Sequence, residues 1–204
     1  MTIGQQVRPL AHAFAAALML TASATIAGAQ GHDDHGGNGP SSQHKPTAQE
    51  SALVKAVREA TERFKNVTSV AGPGEGYELA FGCVSGGDFG AMGLHYLNFS
   101  LVDAVLDVNQ PEIVLFEPTS NGGIRITGAD FVIPAAAWNA THAGPPQLMG
   151  QLFHLFDSPN RFGLDPFYTL HVWAWKNNPA GTFTNWNPDV SCDAFNPRTP
   201  STTR

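Results

Sequence analysis

Two histidines and two carboxylates stand inside otherwise apolar runs: His95 in AMGLHYLN, Glu117 in EIVLFE, Asp130 in IRITGADFVI and His171 in YTLHVWAW. Two imidazoles with one or two carboxylates make a donor set for a divalent transition metal. With one carboxylate and open positions the set suits non-haem iron; His with carboxylate equally serves zinc, manganese or copper. The competing account is a structural network, in which His95 or His171 hydrogen-bonds Glu117 while Asp130 caps a turn or faces water. The donors come from separate segments, so no local spacing motif distinguishes the two accounts.

Strands must do the positioning. Period-two alternation puts Gly93, His95 and Leu97 on one face of the second strand, and His171 on one face of the last strand with Thr169, Trp173 and Trp175. Both segments read as buried on two sides, where each imidazole needs a partner. Asn121-Gly122 is a two-residue hairpin signal, since both residues tolerate the positive φ of a type I′ turn. Such a loop pairs Glu117 with Ile126. It places Glu117 on one face with Ile113, Leu115, Ile126, Gly128 and Asp130. A buried carboxylate is protonated, ion-paired or bound to a cation. Gly128 leaves room for a ligand or a backbone to approach.

The remaining elements follow from periodicity and punctuation. Thr47 and Glu50 have capping-box spacing. Leu53, Val57, Ala60, Phe64 and Val67 then recur at intervals of four and three, which predicts one amphipathic helix ending near Asn66. Gly72-Pro73-Gly74 breaks the chain. Strands are expected over 78–84, 91–98, 112–117, 124–133 and 168–175. Trp138 to Thr141 is expected as a helical turn, and Leu148 to Phe156 as a short helix or lid. The expected class is mainly β: a small antiparallel barrel or sandwich with one N-terminal amphipathic helix.

Residues 1–29 read as an export leader. Arg8 precedes the apolar stretch Ala13 to Ile26, and Ala27-Gly28-Ala29 is a small-residue cleavage pattern, which implies a secreted or periplasmic protein. Gln30 to Pro46 is polar and low in complexity. Its His32, Asp33, Asp34, His35 and His44 form a loose metal-binding tract or a solvated linker. A single domain over 47–196 and a polar tail over 197–204 complete the chain. Cys83 and Cys192 would then pair in an oxidising compartment.

The chain carries 11 Lys+Arg against 17 Asp+Glu. No basic patch exists to hold a phosphate backbone, which excludes nucleic acid as a partner. No later run is long and apolar enough for stable membrane insertion. Ser85 has no base or acid beside it in sequence. Trp173, Trp175, Trp186 and Phe183 are core residues or the lining of a ligand groove. A small-molecule ligand is the partner the composition allows. The sequence leaves open an enzyme, a binding module and a structural envelope protein, and it does not state the oligomeric state.

The succession ATERFKNV, a Cys, GAMGLHYLN, PEIVLFEP and FYTLHVWAWKNNPAGTF before a closing Cys resembles a group of exported bacterial proteins without assigned activity. The likeness runs from about Ser51 to Cys192. It implies export and one domain, and it transfers no catalytic residue. A looser similarity to cupins lies in the order His95, Glu117, His171. The cupin His-x-His pair is missing, because Tyr96 and Leu97 follow His95.

Overall fold

A computed structural model describes residues 45–70 and 75–196. The leader over 1–29, the histidine tract up to His44, the Gly72-Pro73-Gly74 turn and the tail from 197 lie outside the described residues.

Helix α1 spans Ala48–Thr61 and runs on as a 3₁₀ turn over Glu62–Lys65. Its capping box forms as expected. Thr47 Oγ1 accepts from the Glu50 N–H at 3.1 Å, and the Glu50 carboxylate accepts from the Thr47 N–H at 2.6 Å. Eight strands follow: β1 Glu78–Ser85, β2 Ala91–Leu97, β3 Ile113–Pro118, β4 Ile124–Pro134, β5 Gln147–Leu148, β6 Gln151–Leu152, β7 His154–Phe156 and β8 Phe167–Val172. A one-turn helix, α2 (Ala135–Asn139), separates β4 from β5. Six strands form one antiparallel sheet in the order β1-β2-β3-β4-β8-β7, and β5 with β6 makes a separate ribbon. The large sheet curls into a half-barrel, so the mainly-β class with one N-terminal helix holds.

The segment Leu148 to Phe156 is extended rather than helical. β7 hydrogen-bonds along β8, with His154 opposite Thr169 and Phe156 opposite Phe167. A short apolar run has no decisive period. The open edge of β8 supplies hydrogen-bond partners, and the segment takes them.

Alternation gives the sheet two unlike faces. Ala129, Phe131 and Ile133 of β4 and Leu170 and Val172 of β8 pack against Leu53 and Val57 of α1. Leu94, Tyr96, Val114 and Phe116 extend this layer to Phe64 and Tyr77. Burying each such side chain contributes roughly 1.5–3 kcal/mol. The intervening residues point the other way, into a cavity lined by His95, Ile113, Asp130, Val132, Thr169 and His171 among others.

Cys83 and Cys192 form a disulfide across a sequence separation of 109. It ties β1 to the segment that follows β8. That segment also bridges Ala91 through Asn187. A Cβ on Gly90 would stand 2.1 Å from the Asn187 carbonyl, so only glycine permits the approach. Restricting the unfolded chain makes this bond a stabiliser. The double variant Cys83→Ser/Cys192→Ser should lose about 2–5 kcal/mol in urea unfolding. An unchanged midpoint would show that the closing segment holds without the bond.

Candidate metal centre

Cross-strand register sets the site. Leu97, Ile113, Asp130 and His171 form one row across β2, β3, β4 and β8. Asp130 and His171 are therefore direct partners, while His95 lies two residues along β2 from that row. β2 and β8 are three strand spacings apart, about 14 Å in a flat sheet. The His95 and His171 ring centroids are nonetheless 5.8 Å apart, edge to face. The curl of the sheet closes the difference. One donor atom each from His95, Asp130 and His171 lies within 4.8 Å of the other two. A tetrahedral cation with bonds of about 2.1 Å would draw such donors to roughly 3.4 Å apart.

All three side chains are buried. His171 Nδ1 is 3.4 Å from Asp130 Oδ1. The contact lacks hydrogen-bond geometry, and among the described residues both ring nitrogens of His171 are buried without a hydrogen-bond partner. Buried polar atoms are ordinarily paired. His95 Nδ1 lies 3.2 Å from the Gly93 carbonyl. A carbonyl only accepts, so Nδ1 carries the proton and Nε2 keeps its lone pair for a ligand. Asp130 Oδ1 accepts a hydrogen bond from the Thr169 hydroxyl.

Burial dominates the protonation of all three groups. It lowers His95 to about 4, with the neighbouring His171 adding to the effect. It lowers His171 to about 3, with His154 adding. It raises Asp130 to about 6 against the opposing Thr169 hydrogen bond. Near neutral pH the trio is thus two neutral imidazoles and a carboxylate in a buried site. This is the protonation state that a cation requires of its ligands.

Glu117 is not part of the cluster. The hairpin loop has three residues rather than two, Ser120 to Gly122, closed by the Thr119 N–H donating to the Gly123 carbonyl at 2.9 Å. Glu117 therefore pairs with Arg125 and not with Ile126. A bulge at Thr127 restores the register from Leu115 to Gly128, so Asp130 keeps its expected place. Glu117 stands four residues along β3 from Ile113, the partner of Asp130, or about 13 Å. Its carboxylate accepts from Arg125 Nε at 2.8 Å and meets Lys176 Nζ at 2.8 Å. The space beside Gly128 is filled by backbone, since a Cβ there would lie 2.1 Å from the Val172 carbonyl.

Other candidates have structural duties. The Ser85 hydroxyl accepts from the Gly87 N–H in a local turn. The indoles of Trp173 and Trp175 donate to the Thr184 carbonyl and the Thr61 hydroxyl. His154 is exposed on β7, opposite Thr169 and outside the trio. One buried acid escaped notice: Glu112, 2 % exposed, whose Oε2 accepts from the Val132 N–H at 3.1 Å. The starting residue of EIVLFE was its only signal.

The trio forms part of the wall of a cavity of about 200 Å³. Phe167 shares a face of β8 with Thr169 and His171, Phe156 is its partner on β7, Phe162 adds a third ring to the lining, and the half-exposed Phe81 marks the mouth. Phe81 has φ +61° within the β1 bulge between Ala80 and Cys83. A left-handed conformation in a bulky residue costs on the order of 1–3 kcal/mol, and such strain gathers at functional sites.

No family model matches the chain, and no match is found among the curated proteins or the solved structures.

Burial raises Glu112 from 4.5 to about 8, with its hydrogen bond to Val132 opposing. Between those values the folded protein binds more protons than the unfolded chain, so this group's contribution to stability declines as pH rises through that window. Glu112→Gln should flatten the decline in urea midpoint between pH 5 and 8. A wild-type slope retained in the variant would assign it elsewhere.

Proposed function

We propose that this protein binds one divalent transition metal through His95, Asp130 and His171, in an oxidising compartment reached by export. The observation that carries the reading is His171, whose two ring nitrogens are buried and find no hydrogen-bond partner among the described residues beside a buried carboxylate. A cation would accept the imidazole lone pair and compensate the charge on Asp130. Two histidines and one carboxylate leave coordination positions open toward the cavity. A metal there supplies Lewis-acid or redox chemistry to a small molecule held in the same space. Iron, zinc, manganese and copper all match the donor set.

The protein's own groups supply the orientation. Thr169 holds one oxygen of Asp130. The Gly93 carbonyl fixes the His95 tautomer and aims Nε2. Export is supported by the leader-like 1–29 segment and by the disulfide, a bond typical of oxidising compartments. Among the described residues no helix is long and apolar enough to cross a membrane. A metal-free module that binds a small organic ligand is the second reading, and the largely apolar cavity wall favours it.

Elemental analysis of protein made without an affinity tag, followed by Co(II) titration of the chelated protein, separates the two readings. One metal per chain is expected. His95→Ala, Asp130→Asn and His171→Ala should each weaken binding by about tenfold or more, while Glu117→Gln leaves it unchanged. Affinity should fall as pH drops through about 6, because Asp130 then keeps its proton while both imidazoles remain neutral. Metal-free protein that takes up no Co(II) and melts identically with and without chelator would end the metal reading.

A further inference from the structure

The cavity beside the trio has a definite chemical character. Among its described lining residues the polar groups are His95, Asp130, Thr169 and His171, gathered in one place. The remaining wall is apolar and holds no lysine or arginine. Arg161 lies near the mouth, but it donates to the Ser85 carbonyl at 2.8 Å and sits over the Trp186 ring at 5.2 Å. An anionic ligand would meet the Asp130 carboxylate and no side-chain cation, which makes its burial costly. A neutral hydrocarbon would leave His171 without a hydrogen-bond partner.

Shape narrows the class further. Phe156 and Phe167 stack with ring planes 4° apart. Phe162 stands at 59° to Phe167 and at 55° to Phe81. These planes form an angled corner that offers another ring both face and edge contacts. The cavity of about 200 Å³ is somewhat larger than the roughly 150 Å³ apolar void known to hold benzene, so it takes one ring with a small substituent.

We propose that the cavity binds a neutral one-ring phenol, its ring in the phenylalanine corner and its hydroxyl on the His95–Asp130–His171 cluster. The position of the ring rests on the cavity alone. What the hydroxyl meets, an open metal position or the bare imidazole of His171, rests on the metal reading above. The strained Phe81 supports the assignment. Its left-handed backbone directs a half-exposed ring to 5.3 Å from Phe162 at the mouth. The Arg161 bond to Ser85 ties the Phe162 loop to the end of the same strand.

The test is calorimetric titration of the chelated protein with 4-methylphenol, toluene, benzoate and hexanoate, then of the Co(II)-loaded protein with 4-methylphenol. In the chelated protein 4-methylphenol should bind one to one, about tenfold or more tighter than benzoate or hexanoate. Val102→Trp, which fills the cavity from a loop, should abolish binding. Phe81→Gly should keep or raise the urea midpoint, because glycine relieves the strained φ, yet weaken 4-methylphenol by about fivefold or more. His171→Ala should remove the preference for 4-methylphenol over toluene. The proposal is overturned if 4-methylphenol does not bind, if benzoate or hexanoate binds as tightly, or if Val102→Trp leaves binding intact. The two readings fail separately. Co(II) uptake without phenol binding sinks this proposal alone. Phenol binding without Co(II) uptake upholds the ring site and sinks the metal reading.

Discussion

An ionised carboxylate moved out of water costs several kcal/mol unless a positive charge or a set of donors replaces its solvation. Asp130 is buried, and the Thr169 hydroxyl, a backbone hydrogen bond from Leu170 and the adjacent imidazole ring cover only part of that cost. The same burial that lifts Asp130 lowers His95 and His171, so neither imidazole becomes the cation that would answer the carboxylate. An ion pair within the trio is therefore not the resolution. Contrast Glu117, also buried, whose carboxylate has both Arg125 and Lys176. The fold pairs one buried acid completely and leaves the other beside orphaned nitrogens. A divalent cation would resolve that asymmetry with the donors already present.

Two unlike faces make the arrangement tolerable. On one, α1 and the leucines, valines and phenylalanines of β2, β3, β4 and β8 form an apolar layer of two clusters. On the other, His95, Asp130, Thr169 and His171, the strained Phe81 and the exposed Phe99 line one cavity. Costs concentrated in one place, against a well-packed remainder, are the usual pattern of a functional site. The glycines serve the same curvature. Gly93 and Gly128 lie where a Cβ would strike the Phe116 and Val172 carbonyls at 2.3 and 2.1 Å, so neighbouring strands close in where the sheet bends.

Local patterning made His95, Asp130 and His171 legible, because alternation alone assigns each to a buried face. It also carried the helix with its capping box, the five long strands and the disulfide. Glu117 was misplaced by a local error with a local cure. The hairpin loop is one residue longer than Asn121-Gly122 implied, and Thr127 absorbs the difference before Asp130 is reached. That compensation depends on the segment just past β8, where the Trp175 and Lys176 amides both donate to the Thr127 carbonyl. Nothing near Thr127 in sequence announces it. β7 was misread because its partner edge is set by sheet order. The meeting of His95 with His171 follows from curvature and not from pattern, since a flat sheet with the same register would hold them apart.

The same long-range closures explain why the rim can hold a strained residue. Phe81 sits two positions before Cys83, on a strand with one open edge, where a bulge costs fewest ladder hydrogen bonds. An edge bulge without a tether would relax toward regular pairing and turn the ring away. The bond to Cys192 fixes the strand immediately after the bulge. The Cys192 segment is itself anchored to β2 through Asn187. The mouth of the cavity and the Cys83–Cys192 disulfide are therefore physically linked. In a reducing environment the β1 margin would lose its tether and, with it, the geometry that sets Phe81 against Phe162. Oxidation state thus belongs among the determinants of the site and not only of the fold.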